Sequence, residues 1–163
     1  MDSQLEAWAR ATTPESITAA TLSVIGFVPQ AQTLSLDALR QMPRVELGPA
    51  SVRCFSGRPI VEMSQCAGVR LIDLLDLAGL SALPRPDLKC CIVAASGVDG
   101  YQAFFSWNEL YNMATGAEVL VLYERDGQPL DSHLGPLSLI SAGDVHLGPR
   151  HLRQLDTLAV LKL

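Results

Sequence analysis

The sequence predicts a single α+β domain: a mixed β-sheet fold with short helices. Three observations lead there. Short runs rich in Val, Ile, Thr and Leu recur along the chain, each closed by Gly, Pro or Asp-Gly punctuation. Only three helical stripes are visible, all short, and they do not alternate with the strands as a doubly wound parallel sheet requires. The 163 residues suit one domain with a real core, and 48% hydrophobic with 18% charged residues is the composition of a globular chain. No internal repeat appears, and the 12 Gly and 10 Pro are spread as turns rather than gathered in a linker.

In chain order, residues 1–21 read as a lead-in, with Thr13 and Pro14 as a helix start, and 22–163 as the domain proper. Strand character runs from Ile17 to Val28 and stops at Pro29. Ser35 caps a short helix whose Leu36, Leu39 and Met42 share one side, and Pro43 ends it. Two strands follow at 44–47 and 51–55 around Gly48-Pro49. Residues 69–80 form the clearest helix, since Leu71, Leu74, Leu75 and Ala78 repeat at i, i+3, i+4, i+7 with Gly79 near the end. Residues 83–87, with two prolines, read as a loop. A buried strand at 88–95 then pairs with 101–105 across the turn at 96–100.

Ser106 and Glu109 form a capping box for a helix over 107–113. Asp126-Gly127 between 118–124 and 128–130 marks a hairpin. Residues 137–142 and 157–163 supply the last strands.

Charge and hydropathy exclude several function classes. Twelve Lys and Arg stand against 17 Asp and Glu, a formal net charge of −5, and the cations are scattered, so no nucleic-acid groove is expected. No window approaches the roughly 20 apolar residues of a membrane helix, and the apolar run at 21–28 is interrupted by Ser23 and Gly26. Asp2 and Glu6 precede the first positive charge, the wrong polarity for a secretory leader. The expectation is a soluble chain without a leader, cytoplasmic as the sequence stands and periplasmic if a leader has been removed.

Four cysteines are too few for a disulfide scaffold, and no C-x-x-C pair suggests zinc. Cys90 and Cys91 sit in an apolar run and read as core. Cys54 stands apart, because Phe55-Ser56-Gly57-Arg58 after it forms a polar turn that presents the thiol.

The order of motifs resembles the sulfite oxidase-like molybdopterin-binding domain family. The residues that carry the likeness are Val24-Ile-Gly-Phe-Val28, Thr33-Leu-Ser-Leu-Asp-Ala-Leu39, Cys54-Phe-Ser-Gly57 and Ala67-Gly-Val-Arg-Leu-Ile-Asp-Leu-Leu75. It continues through Asp99-Gly-Tyr101, Ser106-Trp-Asn-Glu-Leu110, Asp126-Gly-Gln-Pro-Leu130, Gly135-Pro-Leu137 and Gly148-Pro-Arg-His-Leu-Arg153. The likeness spans about residues 22–163. It implies a mixed α+β domain holding a pterin dithiolene cofactor, with one protein thiolate on molybdenum, and an enzyme that oxidises sulfite or reduces oxidised sulfur compounds.

Under that resemblance Cys54 occupies the metal-ligand position, which suits a thiophilic centre. Read from the residues alone, Cys54 is a partly buried free thiol, or a disulfide partner of Cys66 in an oxidising location. Arg150 and Arg153, with His151 between them, fall where the family places its phosphate-facing basic residues; the other reading is an exposed basic turn. Arg58 faces the site or is solvated. Asp99 and Tyr101 offer a carboxylate and a phenol to hold a pterin edge or donate a proton, while Asp-Gly is also an ordinary turn. Trp107 and Tyr101 have faces that suit a flat pterin, and aromatics beside strands are more often core. Asp144-Val145-His146 has ligand spacing without a third partner.

Two departures from the family pattern stand out. Cys66 and Ala67 precede Gly68 where an aromatic residue is usual, and Ser138 follows Leu137 where Arg is usual. There is no haem motif and no second dimerising domain in the sequence, so a redox or signalling partner would be a separate protein. Two functions remain open at this level. One is a small molybdenum-dependent oxidoreductase acting on a sulfur-type substrate. The other is a non-catalytic module that binds molybdopterin or a free pterin and acts as a sensor or interaction domain.

Overall fold

The computed structural model describes residues 20–163. Most of the lead-in, the Thr13-Pro14 helix start and the first residues of the strand expected from Ile17 lie outside the described residues.

Strand β1 (Thr21–Gly26) buries Leu22 and Val24 and turns its alternate residues outward. β2 (Gln32–Ser35) returns antiparallel to it, and Ser35 then caps α1 (Leu36–Arg40) by accepting the Ala38 N–H at 3.1 Å. β1 also lies parallel to the last strand, β12 (Leu155–Lys162), from Ser23 opposite Thr157 to Gly26 opposite Val160. β12 pairs antiparallel with β7 (Cys91–Gly97), and β7 with β8 (Gln102–Ser106). The first sheet therefore runs β2-β1-β12-β7-β8, mixed through its one parallel pair.

The second sheet is antiparallel throughout. β3 (Val45–Leu47) pairs with β6 (Cys66–Arg70), and β6 with β9 (Val119–Arg125). β9 also receives β10 (Gln128–Pro129) and β11 (Ser138–Ser141) on its other edge. The hairpin to β10 turns on Asp126 (φ 51°) and Gly127 (φ 76°), the left-handed pair that matches strand twist.

The continuous apolar run of β9 has a direct cause. Val119, Val121 and Tyr123 face a core shared with the first sheet and the helices, whereas Leu120 and Leu122 face a second, smaller core. The lid of that second core is a separate hairpin, β4 (Ala50–Arg53) with β5 (Pro59–Met63), which contributes Val52 and Met63 and pairs with neither sheet.

Several sequence expectations shift here. Residues 69 and 70 belong to strand β6, and the helix α2 spans Leu71–Leu77; Leu71, Leu74, Leu75 and Ala78 are all buried as the stripe required. Both strand residues are claimed by pairing with β9, Val69 opposite Val121 and Arg70 opposite Leu120. Gly79 (φ 83°) then ends the helical segment. The loop expected at 83–87 holds a helical turn, α3 (Arg85–Leu88), since prolines are accepted in a first turn. Strand β7 begins at Cys91, which leaves Cys90 exposed while Cys91 is buried. No local sequence signal marks β5; Pro59 as its first residue, on a strand of an isolated pair, is compatible with a ladder that needs no N–H there. The capping box is present in full and opens α4 (Trp107–Asn112), the fourth described α-helix where three were expected.

Gly68 is where β6 and β9 come closest. A Cβ there would lie 2.0 Å from the Val121 carbonyl oxygen, beside the register shift at Ala67/Gly68. Gly68→Ala is expected to destabilise the fold by about 2 kcal/mol or more in urea unfolding. Gly57→Ala, at φ 87° but in open space, is expected to cost about 1 kcal/mol.

Candidate functional site

Three loops meet at one end of the fold: the turn 54–58 at the tip of the β4–β5 hairpin, the turn 97–101 between β7 and β8, and the segment 141–153 leading into β12.

The first carries Cys54. Its N–H donates to the Arg58 carbonyl at 2.9 Å, and the Gly57 N–H donates back to the Cys54 carbonyl at 2.8 Å, closing a tight turn that Gly57 makes at φ 87°. The Cys54 Sγ lies 2.9 Å from Ser56 Oγ. That hydroxyl, with help from the backbone at Arg58 and Ser56, holds the thiol below its usual range despite some desolvation.

The other three cysteines behave differently. All four are free thiols, which sets aside a Cys54–Cys66 disulfide. Cys66 is buried in the second core, where desolvation pushes its thiol up, and burial does the same to Cys91. Cys90, expected in the core, is exposed.

The segment 141–153 is built around Arg150. Its Nε and Nη2 grip both oxygens of Asp144 at 2.9 and 2.6 Å, and Nη1 donates to Glu109 Oε1 at 2.6 Å and to the Phe104 carbonyl at 3.2 Å. The guanidinium also lies 4.3 Å from the centre of the Phe105 ring. Burial alone would raise the Asp144 carboxyl, but the Arg150 guanidinium and the Ser141 hydroxyl outweigh it and keep it low. Arg150, expected to face a phosphate, thus has its charge matched by two carboxylates of the protein itself.

The neighbouring candidates have structural partners as well. His151 is buried, with Nε2 3.3 Å from Ser138 Oγ, while Ser138 donates its own proton to the Leu152 carbonyl at 2.8 Å. That pattern places the imidazole proton on Nε2. Desolvation first, and Arg153 second, push His151 down to about 4, so the ring is neutral near pH 7. Ser138 itself is fully buried, so this position presents no side chain to solvent.

Tyr101 is half-exposed and donates its hydroxyl proton to the Pro149 carbonyl at 2.6 Å. Asp99 accepts the Tyr101 N–H at 3.0 Å, the ordinary role of an Asp in an Asp-Gly turn. Trp107 stacks on Tyr111 at 5.8 Å between ring centres and packs on the first core, its Nε1 buried without a partner. Asp144 and His146 diverge, Asp144 toward Arg150 and His146 toward the Phe55 ring at 5.7 Å.

Cys54, Asp99, Tyr101, Arg150, His151 and Arg153 therefore lie on converging loops, and Trp107 stands apart on α4. Arg58 is exposed, Arg153 is half-buried, and neither has an ion-pair partner among the described residues. Sequence reasoning missed Ser56 as the partner of Cys54 and the second role of Glu109. The capping box already accounts for Glu109 through one carboxylate oxygen, so nothing in the sequence points to a use for the other. A depression of about 330 Å³ on the second sheet, bordered by Val45, Leu47, Glu118 and Leu120, includes none of the candidates.

The comparisons with known proteins agree with this architecture. The model of the oxidoreductase molybdopterin binding domain matches residues 10–162, and the chain belongs to that family. Molybdopterin is accordingly the cofactor of its domain class. Among solved structures, the chain is similar to the sulfane dehydrogenase SoxCD from Paracoccus pantotrophus, with a TM-score of 0.64 at 18% identity. The match covers 86% of this chain and 37% of that one, a likeness of fold that bears out the mixed-sheet domain with few short helices. No curated protein sequence matches the chain. Among the described residues no helix is long and apolar enough to cross a membrane.

The residues fit such a cofactor at its thiolate end, where Cys54 offers an accessible sulfur already held by hydrogen bonds. Of the basic residues expected at an anionic end, Arg58 and Arg153 have no ion-pair partner among the described residues, whereas Arg150 has two.

Since His151 titrates below its ordinary 6.5, its neutral ring supports the fold fully above that pH, and the support is lost as pH falls toward 4. The loss is on the order of 3 kcal/mol across that window. Urea unfolding at a series of pH values is expected to show the slope in the wild type and a flatter one in His151→Gln.

Proposed function

We propose that this chain is the cofactor domain of a molybdenum-dependent oxidoreductase acting on a small sulfur-type substrate, with Cys54 as the protein thiolate on the metal. The observation that carries the reading is the Cys54 turn. Its thiol is accessible and is held low by the Ser56 hydroxyl and by backbone donors. Bound there, the molybdenum carried by the molybdopterin cofactor would supply a thiophilic redox centre.

The protein's own part is holding and orienting. Arg153 and Arg58 offer charge to an anionic group of the cofactor. His151, neutral and buried, contributes a fixed wall rather than charge. Tyr101 sits at the rim with its proton on the Pro149 carbonyl, so in this arrangement its oxygen is an acceptor toward the site. Asp99 keeps one carboxylate oxygen for the turn and leaves the other for a pterin edge. In this reading electrons are exchanged with a protein redox partner.

The second reading is a non-catalytic module that binds molybdopterin or a free pterin and acts through a partner. What favours it is the loss of cofactor-facing charge, with Arg150 neutralised internally and a buried serine at position 138.

Metal analysis separates the two. After expression in a host competent for molybdenum-cofactor synthesis, the wild type and Cys90→Ser are expected to carry near-stoichiometric molybdenum, and Cys54→Ser about tenfold less. Pterin bound at equal levels in all three proteins, with molybdenum absent from each, would instead establish the non-catalytic reading.

A further inference from the structure

We propose that Arg150 is a positioning residue for the Cys54 turn. The proposal rests on the reading of Cys54 given above and assigns Arg150 a task other than phosphate contact. Four of its five N–H donors are used within the protein, on Asp144, Glu109 and the Phe104 carbonyl. With two carboxylates on one guanidinium, the cluster carries a formal excess of negative charge and does not attract a phosphate.

The contacts of the segment that Arg150 fastens decide the matter. At Gly148 a Cβ would lie 2.4 Å from the carbonyl oxygen of Arg53, the residue before Cys54, and 3.0 Å from Ile60 Cδ1. His146 lies 5.7 Å, centre to centre, from the ring of Phe55, the residue after Cys54. Both flanks of the thiol thus lean on the 144–150 segment.

Arg150 in turn ties that segment to β8 through Phe104 and to α4 through Glu109, elements of the large first core. The Tyr101 hydroxyl adds a further tie at the Pro149 carbonyl. A lysine, with a single ammonium, cannot span the Asp144 fork and reach Glu109 and Phe104 at once.

The four free thiols provide the test within one molecule. The full chain, without added cofactor, is alkylated with iodoacetamide at fixed pH, and the rate at each cysteine is read by mass spectrometry. In Arg150→Gln, Arg150→Lys and, independently, Gly148→Ala, the Cys54 rate relative to exposed Cys90 is expected to change by about threefold or more, with Cys66 and Cys91 still protected.

An unchanged Cys54-to-Cys90 ratio in these variants would overturn the proposal. So would a change that appears only together with labelling of Cys66 and Cys91, which would mark Arg150 as a general prop of the fold. Because molybdenum is not read here, failure of this experiment leaves the metal assignment of Cys54 standing. Failure of the metal assignment likewise leaves the mechanical coupling measurable.

Discussion

One guanidinium shares a half-buried pocket with two carboxylates, a carbonyl and an aromatic face, at the base of the segment that the other loops of the candidate site touch. Removing a charge from water is costly unless its partners replace the lost hydration. Arg150 has those partners, and they come from three different parts of the chain: Phe104 and Phe105 on β8, Glu109 on α4 and Asp144 in the final connecting segment. Losing any one of them would leave another charge poorly matched, so the cluster behaves as a unit. The Gly148 turn, two residues before Arg150, abuts the carbonyl of Arg53, the last residue of β4 and the neighbour of Cys54.

The two sheets bring these loops to one end. β12 enters the first sheet beside β1 in parallel and β7 in antiparallel, so its N-terminal end lies next to the β7–β8 turn. The segment preceding β12 is held there, with Gln154 accepting the Val98 N–H at 3.0 Å. β9 joins the halves by burying both of its faces. The close approach at Gly68 lets β6 follow β9 without a side chain between them.

Much of this order was legible in the sequence. The α2 stripe, the Ser106–Glu109 box, the Asp126-Gly127 hairpin and the polar turn after Cys54 are local signals, each set by a few neighbouring residues, and the structure contains all of them. The boundary of α2 was not legible, because Val69 and Arg70 belong to a strand only through partners some fifty residues away in the chain. β5 was hidden for a similar reason, with Val52 and Met63 gaining their burial from a second core that no single window reveals. At the site, the sequence placed basic residues beside the Gly148 turn. It held no sign that Asp144 and Glu109 would converge on one of them, since they lie 6 and 41 residues from Arg150.

The β4–β5 hairpin is joined to the rest by side chains and a few polar contacts rather than by a shared strand ladder. Val52 and Met63 sit in the second core, and Arg125 donates to the Glu62 carbonyl at 2.9 Å. A ribbon attached in this way can open while both large sheets stay closed, at a smaller free energy than global unfolding. The thiol at its tip therefore rides on the part of the molecule whose order depends most on what it touches. Under the proposed reading, a cofactor held by Cys54 would favour the closed hairpin, and the gain in local protection would appear as part of its affinity.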